Sequence, residues 1–360
     1  MVCSMINKKY AWIVAAAISF FAALSGCGGG SSSPAANTYT AGFAQTFTAS
    51  AGAGEVLQFS IDTTNMTYSY TVIQSSYAVP LGQTSTGTLA SKNAEGSYNV
   101  SASVDNFIQS GKVFPVQNGM LIGHVLISGA GFDGTQKIPV FGVSNPITTL
   151  AGLADTYNYQ GFGCGGKSGG NVLGTIVCAS HYGTLTVDTA GGYTKCNGDN
   201  INAAAPTCTL KTGVITATAT PGVYDFLNTT NGHSGWFFAF TAPNGQKVAV
   251  IDHDDSTTPS YGHAIASTQT SVTAGTVDGN YFVKDNQGRQ ALLTVSGTSF
   301  TNNTNGNTGT LAYNSPWTGM VTHTKTGSLT PDGVEMIAGT GVYTGVNTTD
   351  ATRFTLGMRY

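Results

Sequence analysis

Charge is what this chain has least of. Lysine, arginine, aspartate and glutamate make up 9% of its 360 residues, against about a quarter in an ordinary soluble domain. With no basic cluster, that balance argues against nucleic acid as a partner and against electrostatic attraction to a membrane surface. Helical periodicity is also missing: after residue 27 no window repeats apolar residues every 3.6 positions over three turns. The one long apolar run, residues 10–24, is too short to span a bilayer comfortably. No Gly-x-Ser-x-Gly elbow occurs, and the six histidines do not group with an acid and a serine, so no serine nucleophile is recognisable. The cysteines lack the closely spaced pairs that zinc sites use.

What is abundant is glycine, 48 residues of it, with Thr, Ser, Asn, Val and Tyr, a mixture that favours strands and turns. Alternating or continuous apolar stretches read as half-buried or buried strands, as in Leu57–Ile61, Tyr68–Val72, Trp236–Phe240 and Leu292–Val295. Asp133-Gly134, Asn197-Gly198, Asn244-Gly245, Asn305-Gly306 and Asp332-Gly333 supply hairpin turns between such stretches. The expected class is all-β and antiparallel.

A repeat sharpens this. AGFAQTF at 41–47, AGLADTY at 151–157 and AGTVDGNY at 274–281 share a small-Gly opening before an aromatic strand. Each is followed by Gly-Thr-Leu, at 87–89, 183–185 and 309–311, and the last two units also share Gly-Val-Tyr at 222–224 and 341–343. Ordered markers in three registers predict three related units in tandem, each a small antiparallel barrel or sandwich, spanning 39–149, 150–272 and 273–360. A propeller with two blades per unit is the alternative.

GFGCGGKS at 161–168 matches the phosphate-loop pattern. Such a loop needs a helix directly after it, and the glycine- and β-branched-rich residues that follow could not sustain one. Nucleotide is therefore not an expected partner.

The first 27 residues carry a different message. Lys8 and Lys9, the apolar stretch and Leu24-Ser25-Gly26-Cys27 form a cleavable export leader. Here the chain resembles the bacterial lipoproteins: the four-residue box matches their lipobox. That resemblance implies cleavage after residue 26, a diacylated and N-acylated Cys27, and anchoring in the outer membrane of a Gram-negative envelope, since Gly28 rather than Asp follows. Residues 27–38 then form the lipidated cysteine and a flexible tether. Losing both leader lysines leaves 12 basic against 17 acidic residues, moving the formal charge from −3 to −5. In an oxidising compartment the four remaining cysteines are expected to form two disulfides, with Cys164–Cys178 and Cys196–Cys208 favoured among three possible connectivities.

Two stretches are candidates for function. Asp252, Asp254 and Asp255 surround His253 after an apolar strand; oxygen ligands at this spacing could hold Ca²⁺, or serve acid–base chemistry in a secreted hydrolase or metal-dependent enzyme. Read without a ligand, the same stretch is a polar turn. Trp236 with His233, and Trp317 in a loop, could stack on a sugar ring or line an apolar pocket. The overall expectation is an envelope lipoprotein that binds a glycan, an envelope or host protein, or a small apolar ligand, or that is purely structural, with an enzyme as the alternative.

Overall fold

The computed structural model describes residues 42–359 except 53, 77–78, 95, 117–118, 130–131, 169–170, 199–207, 230–231, 255–259, 287–288 and 338–340. Cys27, the leader and the tether therefore lie outside the described residues. The described chain is nearly all strand, arranged as three consecutive groups of eight.

The first group comprises β1 (Ala44–Ser50), β2 (Glu55–Asp62), β3 (Thr67–Ser75), β4 (Thr84–Thr88), β5 (Tyr98–Val100), β6 (Ile108–Val116), β7 (Met120–Gly129) and β8 (Phe132–Val143). It is an antiparallel sheet whose end strands, β4 and β5, approach each other. A bridge between Leu89 and Val100 nearly closes it, reinforced by Ala90 N donating to Asn99 O at 2.9 Å and Ser101 N to Thr88 O at 3.0 Å.

A single short helical turn, α1 (Leu150–Leu153), leads into the second group. Its strands are β9 (Asp155–Ser168), β10 (Asn171–Val187), β11 (Gly192–Gly198), β12 (Cys208–Ala217), β13 (Tyr224–Asn228), β14 (Gly232–Thr241), β15 (Lys247–Asp254) and β16 (Ser260–Thr268), and β16 pairs back onto β9 to close a barrel. The third group, β17 (Gly279–Asp285), β18 (Gln290–Ser296), β19 (Ser299–Asn302), β20 (Thr308–Tyr313), β21 (Met320–Lys325), β22 (Gly333–Ile337), β23 (Val342–Asn347) and β24 (Phe354–Arg359), closes likewise through β17 and β24. Three tandem eight-stranded barrel-like units are thus the architecture. The propeller alternative fails because the second and third units each close into an eight-stranded barrel and the first nearly does.

The repeat markers have a physical meaning. The first marker feeds the opening strand of each unit. Tyr157 donates its hydroxyl to Leu153 O at 2.5 Å, and Tyr281 does the same to Val277 O at 2.6 Å; the first unit has Phe47 at this place, packed on Phe43. The glycine of each Gly-Thr-Leu is the direct cross-strand partner of an aromatic: Gly87 of Tyr68, Gly183 of Tyr159, Gly309 of Phe300. A Cβ on Gly87 would stand 2.3 Å from the Tyr68 ring, and one on Gly309 2.4 Å from the Phe300 ring. The ring lies over the glycine, covering backbone that would otherwise be bare. The marker is not at one topological place, however. It lies in the fourth strand of the first and third units and the second strand of the middle one, so it records a recurring packing device.

Alternation along a barrel strand normally separates a filled interior from a wet exterior. Here several strands are buried on both faces. In β15, Ala249 and Ile251 face the interior of the second barrel, while Val248 and Val250 join a cluster with Val56, Phe114 and Ile122 of the first unit and Met336 and Met358 of the third. The continuous apolar run is the signature of that double burial. In β9, Gln160 is fully buried; its amide donates to Val334 O at 3.0 Å and accepts from Thr344 Oγ1 at 2.8 Å, while Asn158 donates to Thr318 O at 2.7 Å. Outer barrel faces thus serve as core between units, and Asn37–Tyr360 form one compact unit.

Candidate functional site

The cysteines pair as Cys164–Cys178 and Cys196–Cys208. Cys164 and Cys178 are direct cross-strand neighbours in β9 and β10 with Cα atoms 4.0 Å apart; the second bridge joins β11 to β12. Residues 161–168 belong to β9, which turns back into strand β10 and not into a helix.

The acidic stretch is not a polar turn. Asp252 and His253 lie within β15, and Asp252 is fully buried. Its carboxylate accepts from Ser50 Oγ at 2.7 Å and from Gly54 N at 3.3 Å, so it ties the second barrel to the first unit. Asp254 ends the strand opposite Tyr261, and Asp255 lies outside the described residues. Among the described residues no three His, Cys, Asp or Glu side chains group as a metal site.

Of the aromatic candidates, Trp236 and His233 are together, ring centroids 4.6 Å apart, with His233 Nδ1 against Asp225 Oδ1. Trp236 Nε1 donates to Ser76 Oγ at 3.3 Å, and the ring packs on the cluster shared between units. Trp317 packs instead on Tyr182 of the second barrel, 5.7 Å between centroids. Both tryptophans belong to seams between units, where the sequence suggested platforms.

A concave site of a different character lies elsewhere. A cleft of about 200 Å³ lies between the first unit and the third barrel. Lys112 and Phe114 of β6 and Ile122 and His124 of β7 alternate onto one face of the first sheet, with Lys137 and Pro139 of β8 beside them. The opposite wall is Phe282 and Lys284 of β17 with Phe354 and Leu356 of β24. Phe114 and Phe282 meet across the floor, centroids 5.2 Å apart. Lys284 Nζ lies 3.2 Å from His124 Nε2.

Three lysines and a histidine therefore converge on apolar walls. Burial, followed by the charges of Lys137 and Lys112, pushes Lys284 down to about 8. Burial and the neighbouring lysines, Lys284 first, push His124 down to about 4, so it is neutral at physiological pH and can accept from the ammonium. The carboxylate in this wall, Asp285, is engaged by Arg289 Nε at 2.7 Å and Arg353 Nε at 2.9 Å. The cleft thus gathers three lysines and a neutral histidine beside aromatic and aliphatic surface.

Sequence reasoning missed these residues. The available signal was a lysine inside an apolar strand, in IQSGKVFPV, FDGTQKIPV and YFVKD, within a chain that spends charge sparingly. That three such strands meet is decided by the packing of units.

No family model matches the chain, and no curated protein is detectably similar to it. Among the described residues no helix is long and apolar enough to cross a membrane.

Proposed function

We propose that the protein is a lipid-anchored binding lipoprotein of the outer membrane whose folded part takes up a small organic anion with an apolar body in the cleft between its first and third units. The observation that carries the binding is the convergence of Lys112, Lys137 and Lys284 on walls made by Phe114, Ile122, Phe282, Phe354 and Leu356. Burial and the two neighbouring lysines hold Lys284 below its ordinary range; an anionic head relieves that cost, and the apolar walls bury the remainder of the ligand. The anchoring rests on the leader and the box ending at Cys27.

Anilinonaphthalene sulfonate, an aromatic body bearing one anionic group, is a direct probe. Saturable fluorescence enhancement is expected, weakened about ten-fold in Lys284→Ala, the order of one charge-assisted contact, and competed by a medium-chain fatty acid. Enhancement equal in wild type, Lys284→Ala and Lys112→Ala would remove the cleft from consideration. The anchoring is tested separately by mass analysis of the native product, which should show an acylated Cys27 as the first residue.

A further inference from the structure

The third barrel is hollow. A cavity of about 220 Å³ occupies its interior, and the exposed residues Asn305 and Asn307 stand at its mouth. Val283, Leu293, Phe300 and Leu311 supply apolar wall, but a buried polar group stands among them. Glu335 of β22, whose side chain is 5% exposed, has Oε1 against His323 Nδ1, while its other oxygen, Oε2, is buried without a hydrogen bond of good geometry, although the Tyr343 phenol also reaches this carboxylate. A buried carboxylate oxygen without a donor is expensive, and such oxygens occur where something else supplies the donor.

The surroundings are arranged to keep this group accessible. Across from His323 in the ladder is Gly333, where a Cβ would stand 2.5 Å from the imidazole Cε1; beside Tyr343 is Gly345, where a Cβ would stand 3.1 Å from the phenol oxygen. Both glycines leave room for inward-pointing polar rings. Burial, the Glu335 charge and a hydrogen bond to that carboxylate hold the Tyr343 phenol protonated, well above its ordinary range. Burial opposes protonation of His323, but the Glu335 carboxylate outweighs it and raises the imidazole. Each cation of the lining has a carboxylate neighbour: Arg353 Nε lies 2.9 Å from Asp285 Oδ2, and Lys325 Nζ 3.8 Å from Asp332 Oδ1. A charged ligand gains little there. A neutral molecule that donates hydroxyls inward, accepts from side chains near the mouth and lays C–H surface on Phe300 and Leu293 uses every feature of the site.

We infer that the interior of the third barrel is a second binding site, for a neutral polyhydroxylated ring of monosaccharide size, with Glu335 Oε2 as the buried acceptor. The site shares no lining residue with the lysine cleft and takes a ligand of different charge.

The test uses the full-length protein in detergent. Glucose, galactose, mannose and myo-inositol are examined by saturation-transfer NMR, while the imidazole nitrogens are followed by isotope-labelled histidine. Transfer to at least one of these rings is expected, with a chemical-shift change at His323. Affinity is expected to fall at least ten-fold in Glu335→Gln, which exchanges an acceptor oxygen for an amide, and in Leu293→Phe, which fills the cavity from the wall without touching the polar cluster. Lys284→Ala should leave it unchanged. Absence of transfer from all four rings, an unmoved His323 signal, or loss in Lys284→Ala with retention in both interior variants would each overturn the assignment.

Discussion

At the scale of single residues, this fold uses polar groups as positioning devices between units. Asp252 is the clearest case: a fully buried carboxylate held by a hydroxyl and an amide from another unit. Ser50→Ala removes the shorter of these bonds to a buried carboxylate, so a loss of about 1–3 kcal/mol is expected in urea unfolding; an unchanged midpoint would mean that the Ser50–Asp252 bond does not fasten the units. The glycines make a sharper contrast. A Cβ at Gly183 would lie 1.9 Å from Cys196 O, a backbone atom that cannot step aside, whereas at Gly163 nothing lies within 4 Å. Gly183→Ala is expected to cost several kcal/mol or prevent folding, and Gly163→Ala to sit within about 0.5 kcal/mol of wild type. Thermal melts of the two variants decide this.

At the scale of elements, each strand pairs with a sequence neighbour or closes its own unit, so the ladders are short-range in topology. The disulfides add covalent links to the second barrel between strands already hydrogen-bonded together. Loops closed by 14 and 12 residues of separation correspond to roughly 3 kcal/mol each in the chain-entropy picture. Reduction should therefore lower the melting temperature without abolishing β-sheet circular dichroism; collapse of the far-ultraviolet signal on reduction would show that the pairing depends on the bridges. The same element-scale view explains what could be read early. Strands such as Tyr68–Val72 have one clean buried face, and turn dipeptides separate many of them, so class and unit count were legible. Positions 248–251 looked like any buried strand, because apolar residues on both faces do not say which neighbour covers each.

At the scale of the whole molecule, packing of three units buries titratable groups that no local pattern marks. Burial holds His263 and His181 down at about 3 and His124 at about 4, and pushes His253 well below its ordinary value. Their folded-state values lie below the unfolded imidazole near 6.5, so the stability they confer is complete above that pH. It is lost progressively as the unfolded chain takes up protons that the fold refuses, from about pH 6.5 down toward 3. His323 opposes this through Glu335, but four groups outweigh one. Stability falling by several kcal/mol between about pH 6.5 and pH 4 is expected from denaturant titrations. A maximum near pH 5 would contradict it. The cleft adds an opposite dependence in binding: anilinonaphthalene sulfonate affinity should weaken as pH rises above about 8, where Lys284 loses its proton, and Lys284→Ala should flatten that limb.

The sequence by itself determined that the chain is all-β, that it is built as three related units, and which cysteines are favoured to pair, because alternation, turn chemistry and short loop spacing are local properties of the chain. Only the tertiary structure decided which outer faces became core, that Asp252 would be buried as a tie, that Trp236 and Trp317 would fill seams, and that lysines from β6, β8 and β17 would face one cleft. The physical reason is range: strand and turn preferences act over a few residues, while contacts between barrel exteriors join residues such as Ser50 and Asp252, 202 positions apart.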